Sequence, residues 1–163
     1  MSERPRTIYI LVLLWLALSG IFVLWGIYSL IVLIQIPEWT TELQALIYPV
    51  HFGYLISTIV WFVFSSLFII FSYATFRADS WAWTTGVIIS TIFLIIFGIM
   101  LAAFMVNAIL FLDWWSVVGL ITVVLSFLTD IGIVIYLTRP VTKLYFAKIN
   151  SEKLTAEITK EVV

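Results

Sequence analysis

Cysteine is absent from this chain. That excludes disulfides, thiolate catalysis, iron–sulfur ligation and lipid attached through a cysteine. Charge is scarce as well: 10% of residues are Asp, Glu, Lys or Arg, against about 25% in soluble domains. The one histidine, His51, has Glu38, Glu42 and Asp113 as the nearby acids. That is a poor metal set, because catalytic zinc takes about three protein ligands and copper favours several imidazoles. His51 therefore reads as an interfacial histidine near the end of a span, with a site completed by another subunit as the alternative. Also missing are a glycine-rich phosphate loop, paired carboxylates, a nucleophile with a plausible base and a pair of axial haem ligands. These absences point away from an enzyme and from any cofactor. The low-ranked exception is a membrane enzyme whose site another subunit completes. Nothing favours nucleic acid as a partner.

What the chain has in abundance is apolar length. Its side chains are 64% apolar and its mean hydropathy is +1.20. Four runs exceed the roughly 18 apolar residues that mark a membrane span: 8–36, 50–76, 81–112 and 115–138. A single domain over 1–163 follows, an all-α transmembrane four-helix bundle with short loops and a tail at 141–163. The lipid bilayer is its first partner. The first run is too long for a signal-peptide core and lacks a clear cleavage site, so it is expected to stay as a span.

The eight Lys and Arg fall before the first run, between the second and third, and after the fourth. An even number of crossings puts all of them on one side. By the positive-inside rule both termini are cytoplasmic and the protein is multi-pass in the cell membrane. Trp39, Trp81, Trp83, Trp114 and Trp115 fall at the expected interfaces, where amphipathic rings are favoured. Trp15, Trp25 and Trp61 lie deeper and read as packing or lipid-contact residues. The loop from Pro37 to Pro49 reads as a connector, or as a short interfacial helix capped by Thr40 or Thr41. After Pro140 the tail is expected to divide at Asn150-Ser151. Leu144, Tyr145, Phe146 and Ile149 would lie at the interface, and Leu154, Ile158 and Val162 would form the apolar face of a final amphipathic helix.

Asp130 is the acidic residue inside a span. At about 1.5 Å per residue it stands roughly 13 Å from Arg139, near mid-membrane. A lone ionisable group there defaults to a functional hypothesis, and burial favours its neutral acid. Gly119, Thr122, Ser126, Thr129, Asp130 and Ile133 share one helical stripe. Ser65 and Ser66 of the second run, and Ser90 and Thr91 of the third, lie at similar depth and are expected to supply hydroxyl partners. Two readings follow. Asp130 is either a neutral hydrogen-bonding group between helices, which is the favoured one, or a proton or cation relay. Small residues at Gly86/Ser90, Gly98/Ala102 and Ser19/Gly26 permit close helix approach.

The ending Arg139-Pro140-Val141-Thr142-Lys143-Leu144-Tyr145-Phe146 resembles the close of small uncharacterised prokaryotic four-helix membrane proteins. That resemblance implies a prokaryotic source and a bundle architecture, and carries no activity. The expected function is a non-catalytic membrane subunit that stabilises or regulates a larger assembly, through other membrane subunits or self-association. The alternative is a small oligomeric transporter or channel with Asp130 as its coupling group.

Overall fold

A computed structural model describes residues 5–35, 44–111 and 114–161, with the side chains at 44–51, 111, 114–116, 157, 160 and 161 outside the description. The described residues form five helices: α1 Arg6–Gln35, α2 Gln44–Arg77, α3 Ser80–Phe111, α4 Trp114–Thr138 and α5 Pro140–Glu161. Among the described residues there is no strand, and four of their helices are long and apolar enough to cross a membrane, so the protein is an all-α, multi-pass membrane bundle. Large apolar side chains such as Leu13, Leu24, Ile99 and Ile109 are well exposed on its outer surface, as expected where the solvent is hydrocarbon.

Two boundaries differ from the sequence reading. Helix α2 begins at Gln44 and runs through Pro49, where a start near Val50 is expected. Pro49 is the sixth residue of the helix, so it forfeits one backbone bond, the one to the Ala45 carbonyl, and the helix continues past it. The loop residues 36–43 lie outside the described residues, as do the side chain of His51 and the residues of the proposed Thr40/Thr41 cap. The tail does not divide at Asn150-Ser151; α5 is one helix of 22 residues. Its Ser151 hydroxyl bonds back to the Lys148 carbonyl at 2.7 Å, so the serine is absorbed within the turn.

The chain folds as two antiparallel hairpins, α1–α2 and α3–α4. Helix α1 packs on α4, while α2 and α4 stand on a diagonal without contact among the described residues. The core between them is aromatic. Trp15 stacks on Phe68 and Phe71 at 5.5 and 5.1 Å, and Phe22 on Phe68 at 5.3 Å. Phe93 of α3 meets Phe68 edge-on at 5.1 Å. Rings of this size bury large area in few residues, and edge or offset contacts add about 0.5–1.5 kcal/mol each.

At the end that carries Arg77 and Arg139, here called the basic end, α2 turns into α3 through a Schellman cap. The N–H of Asp79 bonds the Ala74 carbonyl at 3.0 Å, and that of Ala78 bonds the Thr75 carbonyl at 3.1 Å. Ala78 takes the left-handed position, φ 53°, usually given to glycine. Its methyl group is used: Ala78 is buried with Ile8, Ala74, Ala82 and Phe146 in a second, small core. Helix α4 stops at Pro140, which has no N–H to extend it. The Trp83 indole donates to the Leu137 carbonyl at 2.9 Å, satisfying one of the orphan groups at that helix end.

Helix α5 crosses the basic end. It leaves α4 at Pro140, buries Thr142 and Phe146 beneath the bundle, and ties Lys153 to Asp79 of the α2–α3 turn at 3.2 Å. Thirteen residues of helix cover about 20 Å, enough to span the diagonal from α4 to the foot of α2.

Candidate functional site

Asp130 lies at the centre of the site, and α4 places it there by periodicity. Val123, Ser126, Asp130, Ile133 and Leu137 are all buried, recurring every three or four residues along one face. Asp130 is fully buried, at 0% exposure. Measured along each helix from the basic end, Trp15 of α1, Phe68 of α2, Ser90 of α3 and Asp130 of α4 all sit about 13–15 Å in. They occupy one cross-section of the bundle.

The hydroxyls sort themselves differently from the sequence expectation. Ser90 is fully buried, and its hydroxyl is close enough to act on the Asp130 carboxyl. The pair falls short of hydrogen-bond geometry, however. Among the described residues neither Asp130 oxygen has a hydrogen-bond partner, nor has the Ser90 Oγ or the Trp15 Nε1. Ser65 is committed elsewhere: its hydroxyl pairs with that of Ser19 at 2.9 Å, and its carbonyl accepts from Ser19 at 3.1 Å. The cause is topological, since α2 lies diagonal to α4 and faces α1. Ser66 and Thr91 are exposed and bond back to the carbonyls of Phe62 and Val87. Thr129 and Ser126 do the same within α4, toward Leu125 and Thr122. Of the expected partners, then, only Ser90 is brought to Asp130.

A second feature lies toward the distal end, opposite the basic end, and sequence reasoning missed it. An apolar cleft of about 530 Å³ opens between α1 and α4, with Leu24 on one lip and Leu125 on the other. Both leucines are more than half exposed, so the mouth faces lipid. Trp25, Tyr28 and Phe104 line both the cleft and an adjoining inner chamber of about 210 Å³. Tyr28, Ser29, Tyr54, Ser57 and Ser126 are the hydroxyl residues lining the chamber; Ser29 pairs with Ser57 at 3.3 Å and Ser126 bonds the Thr122 carbonyl at 2.9 Å. Among the described residues neither cavity is lined by a charged side chain.

Two glycines account for the cleft. A β-carbon on Gly26 would stand 3.1 Å from the Phe62 ring, so any larger residue there would push that ring back from α1. A β-carbon on Gly119 would overlap the Phe104 ring, so α3 closes on α4 in the same way. Each hairpin is drawn onto itself near the distal end, and the two are drawn apart. The available sequence signals were Gly26 in a small-residue pair and Gly119 on the polar stripe; nothing marked Phe62 or Phe104 as their partners.

Among the described residues no group of three His, Cys, Asp or Glu side chains is placed to hold a metal. Comparison with protein-family models, with curated proteins and with solved structures gives no match.

Proposed function

We propose that the protein is a non-catalytic membrane subunit that stabilises or regulates a larger membrane assembly. The observation that carries this reading is the free face of α5. Thr142, Phe146, Ile149 and Lys153 lie along the stripe turned to the bundle. At about 100° per residue, Leu144, Leu154 and Ile158 fall on the opposite half of the helix, 69%, 60% and 55% exposed. Helix α5 packs on α1, α3 and α4 through its other stripe, so no described residue of the bundle covers this face. An apolar helix face of this kind suits a partner's groove, with anchors at helical spacing. Its test is native mass spectrometry from lipid nanodiscs. Wild type should carry a stoichiometric partner that the Leu154→Glu/Ile158→Glu double variant loses while its own helical content and yield are kept. Equal recovery with both chains would end this reading.

Both termini are assigned to the cytoplasm and the bundle to the cell membrane, on the distribution of Lys and Arg. The chain has no cysteine of its own, so single cysteines can be labelled cleanly. Impermeant reagent on intact cells should reach Thr41→Cys and Ser116→Cys, and should spare Ser80→Cys and Ser151→Cys. Labelling of the second pair would invert or break the topology.

One observation favours a second reading, proton or cation transport: both oxygens of Asp130 are buried without a hydrogen-bond partner among the described residues. On that reading Asp130→Asn abolishes pH-driven flux in proteoliposomes and leaves the fold intact. Flux equal to wild type, or no flux from either, removes it.

A further inference from the structure

We propose that the cleft and its inner chamber form a binding site for an uncharged membrane lipid with a flat, carbonyl- or hydroxyl-bearing ring as its head. The tail lies in the cleft and the ring in the chamber. The argument begins with size and access. The cleft, at about 530 Å³, falls within the roughly 300–1,000 Å³ of small-molecule sites. It opens sideways between Leu24 and Leu125, so a ligand enters from the bilayer without crossing water.

The distribution of polarity then sets the ligand's orientation. The cleft is apolar apart from Tyr28 and Thr122, and the Thr122 hydroxyl is spent on the Val118 carbonyl at 2.9 Å. Hydroxyls gather instead in the chamber, where Ser29, Tyr54 and Ser57 stand among Trp25, Trp61 and Phe97. Neutral hydroxyls beside aromatic faces suit a ring that accepts or donates hydrogen bonds at its edge and stacks on its plane. Among the described residues no Lys, Arg or His lines either cavity, so a phosphate or carboxylate head would be desolvated with no counter-charge from them, at high cost. Phospholipids and fatty acids are therefore the wrong class for the chamber.

Structural economy supports the same site. Gly119 is buried, and it seats the Phe104 ring against the α4 backbone. A larger residue at 119 would drive that ring toward the space it now borders. The packing thus holds the wall of the cavity back and keeps the space open.

The experiment uses the full chain in phosphatidylcholine nanodiscs, with decylubiquinone as the neutral ring probe and decanoate as the anionic control. Binding is read by quenching of tryptophan fluorescence, since Trp25 and Trp61 line the site. Decylubiquinone should quench saturably and decanoate should neither quench nor compete. Thr122→Phe fills the cleft from α4 without touching the Gly119–Phe104 contact, and should weaken binding by about tenfold or more, the usual scale for a blocked hydrophobic site. Ser29→Ala with Ser57→Ala should weaken it by about fivefold, the value of roughly one hydrogen bond. Gly20→Leu adds bulk where nothing lies within 4 Å and should leave binding unchanged. Non-saturable quenching by the wild type, effective competition by decanoate, or full affinity in the Thr122→Phe variant would each overturn the proposal.

Discussion

In the basic half of the bundle the hairpins interlock. Leu14 of α1 stands 3.3 Å from where Gly132 would carry a β-carbon, and Trp15 and Leu137 close together on Gly86. In the distal half the same four helices part. Gly26 and Gly119 pull each hairpin onto itself, and the cleft opens between them. One half buries a polar group without partners in a dense core, and the other leaves space beside its hydroxyl residues. The contrast arises from which helix each glycine faces. Gly26 and Gly119 face only within their own hairpins, whereas Gly132 and Gly86 also admit a side chain from the other hairpin.

The contrast can be tested by unloading each half in turn and following reversible unfolding in mixed micelles. The largest effect should come from Trp15→Ala, which removes the ring stacked on Phe68 and Phe71 and should cost about 3–5 kcal/mol. Phe104→Ala removes a ring that already borders a cavity and should cost less than half as much. Equal losses would mean that the two halves are packed alike.

Next in size is Asp130→Leu. A completed hydrogen bond to Ser90 or another hydroxyl would make this substitution destabilising. Since both carboxyl oxygens are buried without a partner, removing them should instead stabilise the bundle by about 1–3 kcal/mol. Asp130→Asn keeps a polar amide in the same place and should change stability by much less. A melting temperature lowered by Asp130→Leu would show that the carboxyl holds the helices together.

Smaller still is the difference between two serine pairs. Ser19 makes two bonds to Ser65 at 2.9 and 3.1 Å, whereas Ser29 makes one to Ser57 at 3.3 Å. Ser19→Ala should cost about 0.6–1.7 kcal/mol, the range for polar contacts between membrane helices, and Ser29→Ala toward the bottom of that range or below it. The smallest effect belongs to Lys153→Ala. Its ion pair with Asp79 is part-exposed, so the loss should stay under about 1 kcal/mol and shrink further in high salt. A salt-independent loss of several times that size would mean that the pair fastens α5 by itself.

The spans were legible in the sequence because hydrocarbon demands long uncharged helices, and the runs near Ile8, Trp81 and Trp115 begin within two residues of the observed helices. The burial of Asp130 was legible too, from its place on the small and polar stripe of α4. Its surroundings were not. Ser65 and Ser90 lie at similar depth, about 18 and 15 Å from the basic end, yet one faces α1 and the other α4. Only the arrangement of the helices around the bundle axis separates them, and that arrangement leaves no periodic trace in any single helix. The continuity of α5 was hidden for a different reason: Asn150-Ser151 reads locally as a break, but the serine hydroxyl folds back onto its own helix. The cleft was hidden because its cause is pairwise, a glycine on one helix and a ring on the next.

The α5 strap has a mechanical consequence. Hairpins joined across one end are levers: a change in the angle between them would leave the joined end nearly still and be widest at the other. Hinge movements of that kind need only a few residues to change conformation at the pivot. The joined end here is the small core of Ile8, Ala74, Ala78, Ala82 and Phe146, and the cleft lies toward the other. A rotation at α5 would therefore register most in the distance between Leu24 and Leu125.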